Sequence, residues 1–142
     1  MSNTDHQQIE KGVSFVNDRI KSSRDRISVL NSPGRLRDRD EIWEAYYDLE
    51  EAILMSKIIF NGFDKLGKRR RLPKIADLSD KEIRARFRVA EDNLNSAESN
   101  LSNLKGDETI ESLRRARYQL KLMLVVIAAR RGPSKRFRKR KP

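Results

Sequence analysis

Apolar residues recur along this chain at alternating steps of four and three, the spacing of a single stripe on an α-helix packed in a bundle. The first series is Ile9, Val13, Val16, Ile20, Ser23, Ile27 and Leu30, and the second is Ile42, Tyr46, Leu49, Ile53, Ser56, Phe60 and Phe63, each broken once by a serine. The third, Ile83, Phe87, Ala90, Leu94, Ala97, Leu101 and Leu104, is unbroken. The fourth runs Ile110, Leu113, Ala116, Leu120, Met123, Ile127 and becomes apolar on nearly every side after Leu120.

Local punctuation places the ends. Asn31-Ser32-Pro33-Gly34 reads as a breaker between the first two helices and Asn61-Gly62 as the end of the second. Ser79 with Glu82 three residues later has the form of a capping box for the third. Lys105-Gly106-Asp107 predicts a stop at the glycine and a new N-cap at Asp107. The expected fold is all-α: an antiparallel up-down-up-down four-helix bundle over residues 1–131, with helices near 7–31, 38–63, 80–105 and 107–131, and a basic, disordered tail over 132–142. Two hairpins paired in a dimer, or an elongated coiled coil, satisfy the same spacing.

Composition narrows the class. Hydrophobic and charged residues each make up 37% of the 142 residues, with 6 Gly and 4 Pro, a balance that favours solvated helices over sheets. The chain has no cysteine, which excludes disulfides, thiolate metal sites and a thiol nucleophile. Its polar start lacks the apolar core of a secretory signal, so a cytoplasmic location is expected, or a nuclear one in a eukaryote. No transmembrane segment is expected, because Leu120 to Ala129 is about half the ~20 residues a span needs.

The net charge of +11 is unevenly spread. Residues 1–63 and 76–108 are mildly acidic, whereas 64–75, 109–131 and 132–142 hold the excess of Lys and Arg. In an up-down-up-down bundle the second connection and the C-terminus share a pole. That pole would gather Lys65, Lys68, Arg69, Arg70, Arg71 and Lys74, then Arg84 and Arg88 from the third helix, Arg130 and Arg131 from the fourth, and Lys135, Arg136, Arg138, Lys139, Arg140 and Lys141 from the tail. Gathered cations repel one another, and a polyanion relieves that cost by giving up its condensed counterions. Guanidinium forks suit phosphate oxygens, and Phe137 within the tail offers a surface for a base.

Catalytic chemistry finds no support in the residues. His6, the single histidine, lies in the polar N-terminal stretch, with no triad or helical Glu-x-x-His pair, and no glycine-rich phosphate loop occurs. The carboxylates Asp48, Glu50, Glu51, Glu91 and Asp92 read as solvated surface, and Arg24, Arg26, Arg35, Arg37 and Arg39 as locally ion-paired. Those arginines are expected near the same end as Arg114, Arg115 and Arg117, where the alternative to local ion pairing is a secondary contact surface. Trp43, Tyr46 and Tyr47 could form a ligand or base-stacking platform, but Trp43 and Tyr46 lie on or next to the apolar stripe, which favours core packing. No metal and no cofactor is expected.

The function this predicts is non-enzymatic binding of DNA or RNA through phosphate contacts, with little sequence reading. The alternative is a helical adaptor or assembly subunit that binds a partner or itself through apolar positions beyond the main stripes. Those are Leu54, Ile58, Leu122, Val125 and Val126, and the basic tail would then serve as a tether.

Overall fold

The computed structural model describes residues 3–60 and 77–131, with side chains for 7–60 and 77–128. It contains four helices: α1 (Asn3–Leu30), α2 (Arg39–Phe60), α3 (Asp80–Ser102) and α4 (Gly106–Arg131). The apolar stripes supply most of the core as their spacing predicts, but Leu104 is exposed, Ile9, Val13, Tyr46 and Phe60 are partly buried, and Phe63 lies outside the described residues. Val16, Ile20, Ile27 and Leu30 of α1 meet Ile42, Leu49 and Ile53 of α2, the α3 series from Ile83 to Leu101, and Leu113, Leu120, Met123 and Ile127 of α4. Leu36 and Leu78, both from connections, seal one end.

The four helices form a bundle, but their directions differ from the up-down-up-down order. α1 packs against α2 and α3, and α4 packs against α2 and α3, so α1 faces α4 and α2 faces α3 across the diagonals. Arg24 bonds Asn95 and Glu98 while Asn31 bonds Glu91, so α3 runs antiparallel to α1. Arg117 pairs with Glu50, and Phe60 lies over Gly106, so α4 runs antiparallel to α2. The order is up-down-down-up. Short links dictate only the hairpins α1–α2 and α3–α4; the longer connection between Phe60 and Asp80 is free to enter α3 from either pole.

One pole therefore holds the α1–α2 turn, the start of α3 and the end of α4. There Arg37 donates to the Leu78 carbonyl at 2.8 Å and pairs with Asp77 and Asp80. The other pole holds the start of α1, the end of α2 and the α3–α4 turn.

Two boundaries have causes the sequence pattern did not give. α3 ends because Leu104 adopts a left-handed conformation (φ 55°), with Lys105 N–H bonded to the Asn100 carbonyl at 2.9 Å. Gly106 is not the stop. It is the first residue of α4, and a Cβ there would stand 2.6 Å from the Phe60 side chain, so glycine is required by close packing. Thr109 N–H then bonds the Lys105 carbonyl, which places the cap of α4 before Asp107. The capping box of α3 forms as its sequence predicts: Glu82 N–H donates to Ser79 Oγ, and Ser79 N–H to the Glu82 carboxylate, both at 3.2 Å.

Candidate nucleic-acid interface

The outer seam between α2 and α4 brings together residues far apart in the sequence. Steps of three, four and seven along α2 place Arg39, Trp43, Tyr46, Glu50 and Lys57 on one side. The antiparallel α4 answers with Ala128, Leu124, Val125, Lys121, Arg117 and Arg114. Toward the pole where α4 ends, the seam opens into a groove of about 260 Å³. α2 contributes Arg39, Trp43 and Tyr46 to it, and α4 contributes Lys121, Leu124 and Val125.

The aromatic wall is braced. Tyr47 stacks on Trp43 with ring centroids 5.5 Å apart and planes 24° from parallel, and Tyr46 meets the indole edge-on at 84°. Partial burial, then a hydrogen bond to Glu50, pushes the Tyr46 phenol up to about 12, so it stays a donor across the physiological range. Glu50 in turn pairs with Arg117 at 3.2 Å. A chain of contacts thus runs from α4 through Glu50 and Tyr46 to Trp43. These aromatics are not the closed core the sequence suggests: Trp43 and Tyr46 are half-buried and Tyr47 is 53% exposed.

Below the groove the seam is crowded with positive charge. Partial burial first, then the nearby Arg114 and Arg117, holds the Lys57 ammonium below its ordinary value, with Glu50 acting in the opposite sense. Lys121 and Arg39 continue the cationic line, both exposed. The cost falls on Lys57, through its burial first and its cationic neighbours second, while Glu50 offsets Arg117.

The other sequence-selected residues distribute as follows. Lys65, Lys68, Arg69, Arg70, Arg71 and Lys74 lie outside the described residues, as do Lys135, Arg136, Phe137, Arg138, Lys139, Arg140 and Lys141. α2 ends at one pole and α3 begins at the other, whereas the expected topology required both at a single pole. Arg84 and Arg88 are exposed on the first turns of α3, at the pole where the backbone reaches Arg130 and Arg131.

Of the expected partner surface, Leu54 and Ile58 are each 61% exposed, but Leu122 and Val126 are buried in the chain's own core and Val125 lines the groove. The all-round apolar character of α4 is thus explained by its two neighbours, α2 and α3. Arg24, Arg26, Arg35 and Arg37 are all ion-paired. They stand toward the opposite end from Arg114–Arg117, not beside them. Asp48 is not solvated surface either; it is buried between α1 and α2, accepting from Ser22 Oγ at 2.7 Å and pairing with Arg19 and Arg26.

A wider, open hollow of about 550 Å³ at the α1–α2 turn is lined by Arg37, Asp38, Arg39 and Asp40, whose charges offset one another. Among the described residues there is no cluster of three or more His, Asp or Glu side chains able to hold a metal. No described helix is long and apolar enough to cross a membrane.

The seam was hidden from sequence reasoning because nothing local says that α2 and α4 are neighbours. The available signal was the i, i+3, i+7 placement of Arg114, Arg117 and Lys121 on one face of α4. Comparison with family models, with curated proteins and with solved structures finds no match.

Proposed function

We propose that this protein is a non-enzymatic nucleic-acid-binding bundle that holds the phosphate backbone with little reading of sequence. The observation that carries the reading is the placement of Lys57, Arg114, Arg117, Lys121 and Arg39 along one seam, with Glu50, paired to Arg117, as the acidic residue among them. The basic stretches 64–75 and 132–142 add to the positive charge available to a polyanion. The reading carries with it a cytoplasmic place of action.

The test is a mobility shift with DNA and RNA at two salt concentrations. Binding should fall steeply with salt, by ~10³- to 10⁵-fold between 50 and 200 mM if ~6 to 10 phosphates are held. Truncation after Gly132, neutralisation of Arg69 to Arg71, and Arg114→Gln with Arg117→Gln should each weaken binding similarly on all sequences and flatten the salt slope. No binding by the full chain at ~50 mM salt would overturn the reading.

A second reading rests on Leu54 and Ile58, which with Tyr47 form an exposed apolar stripe on α2. On that reading the protein is an adaptor or assembly subunit. Leu54→Ser with Ile58→Ser should then abolish self-association by light scattering, while loss of the tail only weakens it.

A further inference from the structure

We propose that the α2/α4 groove takes one unpaired base of a single-stranded nucleic acid, stacked on Trp43, while Arg39 and Lys121 hold the phosphates on either side of it. The inference rests on the nucleic-acid reading above and narrows it to single strands.

The chemistry of the groove selects such an occupant. Its floor is apolar, from Leu124 and Val125, its wall is an indole and a phenol, and its two rims carry Arg39 and Lys121. A planar ring between two anionic groups matches that arrangement, and a nucleotide within a strand is such a unit. The volume of about 260 Å³ is below the ~300 to 1,000 Å³ of pockets that enclose drug-sized ligands, which suits one ring of a longer molecule better than a whole free ligand.

Paired bases in a duplex bury their faces against neighbours, so a stacking wall rewards unpaired ones. The bracing by Tyr47, Tyr46 and Glu50 keeps the indole in place before binding, which lowers the ordering cost. From Lys121 the basic positions continue along α4 through Arg117, which pairs with Glu50, to Arg114 at steps of about 6 and 4.5 Å of helix rise, a track along which the rest of the strand can lie.

Trp43 is the chain's one tryptophan, so indole emission reports on this groove alone. The full chain is titrated at low salt with oligo(dT), with oligo(U), and with a DNA duplex of equal length. Both single strands should quench Trp43 and the duplex should not. Trp43→Leu should lower single-strand affinity about ten-fold, bringing the preference for single strand over duplex close to unity, and Trp43→Phe should retain part of it.

If Trp43→Leu fails to fold by circular dichroism, Lys121→Gln at its exposed position replaces it, and both affinity and quenching should drop. Quenching by oligo(U) but not by oligo(dT) would support the groove as an RNA site. Unquenched Trp43 with strong binding, or single-strand affinity unchanged in Trp43→Leu, would overturn the stacking site and leave the phosphate-binding reading intact. Absence of binding by every nucleic acid would overturn both.

Discussion

The two serines that interrupt the apolar series look alike in the sequence and differ in the fold. Ser23 Oγ donates to the Ala45 carbonyl at 3.1 Å across the α1–α2 interface. Ser56 is 0% exposed, and its hydroxyl finds no hydrogen-bond partner among the described residues. A net hydrogen bond contributes about 0.5 to 1.5 kcal/mol, whereas an unsatisfied buried hydroxyl costs about 1 to 3 kcal/mol. Ser23→Ala should therefore destabilise by about 1 kcal/mol and Ser56→Ala should stabilise by a similar amount, read from urea midpoints. The residue pattern alone marked both as interruptions; only the cross-helix neighbour distinguishes them. Asp48 shows the same limit, since an acidic residue on a helix reads as solvated until Ser22, Arg19 and Arg26 of another helix are placed against it.

Helix ends were legible where the signal is local and illegible where it depends on packing. Ser79–Glu82 caps α3 through groups three residues apart, and the sequence shows both. Asp38 does the same for α2, accepting from Glu41 N–H at 3.2 Å and pairing with Arg35 at 2.8 Å. Hydrogen bonds from Glu41 N–H and then Arg35 hold the Asp38 carboxyl below its ordinary 3.8, and the Ser79 N–H and hydroxyl hold Glu82 below its ordinary 4.5. Because both folded values are depressed, their contribution is complete above the ordinary values and is lost as pH falls through the folded ones. The urea midpoint should fall on acidification below about pH 4, and Asp38→Asn with Glu82→Gln should make that fall shallower.

The end of α3 is the opposite case. A left-handed Leu104, 60% exposed, does work usually given to glycine. Leu104→Gly should raise the thermal midpoint, with a gain of about 1 kcal/mol from the relieved backbone.

At the scale of the molecule, the number of helices and their inward faces followed from a period of three and four, which local sequence encodes directly. Their order around the bundle did not. The links 31–38 and 103–105 are too short to allow anything but antiparallel neighbours, while 61–79 leaves the relation of the two hairpins to be chosen by side chains distant in the chain. That choice juxtaposes Trp43 with Lys121 and Lys57 with Arg114, so the candidate surface became visible only with the tertiary structure.

Each half of the chain thus closes a hairpin from its own consecutive residues, and among the described residues the halves meet through α2 on α4 and α1 on α3. The halves 1–60 and 77–142, expressed as separate polypeptides, should complement each other into a heterodimer of native helicity, whereas either alone, with its apolar face unmet, should stay poorly ordered; mixing the purified fragments and following circular dichroism checks this. A chain so divided should survive a single cut in its middle with its shape intact.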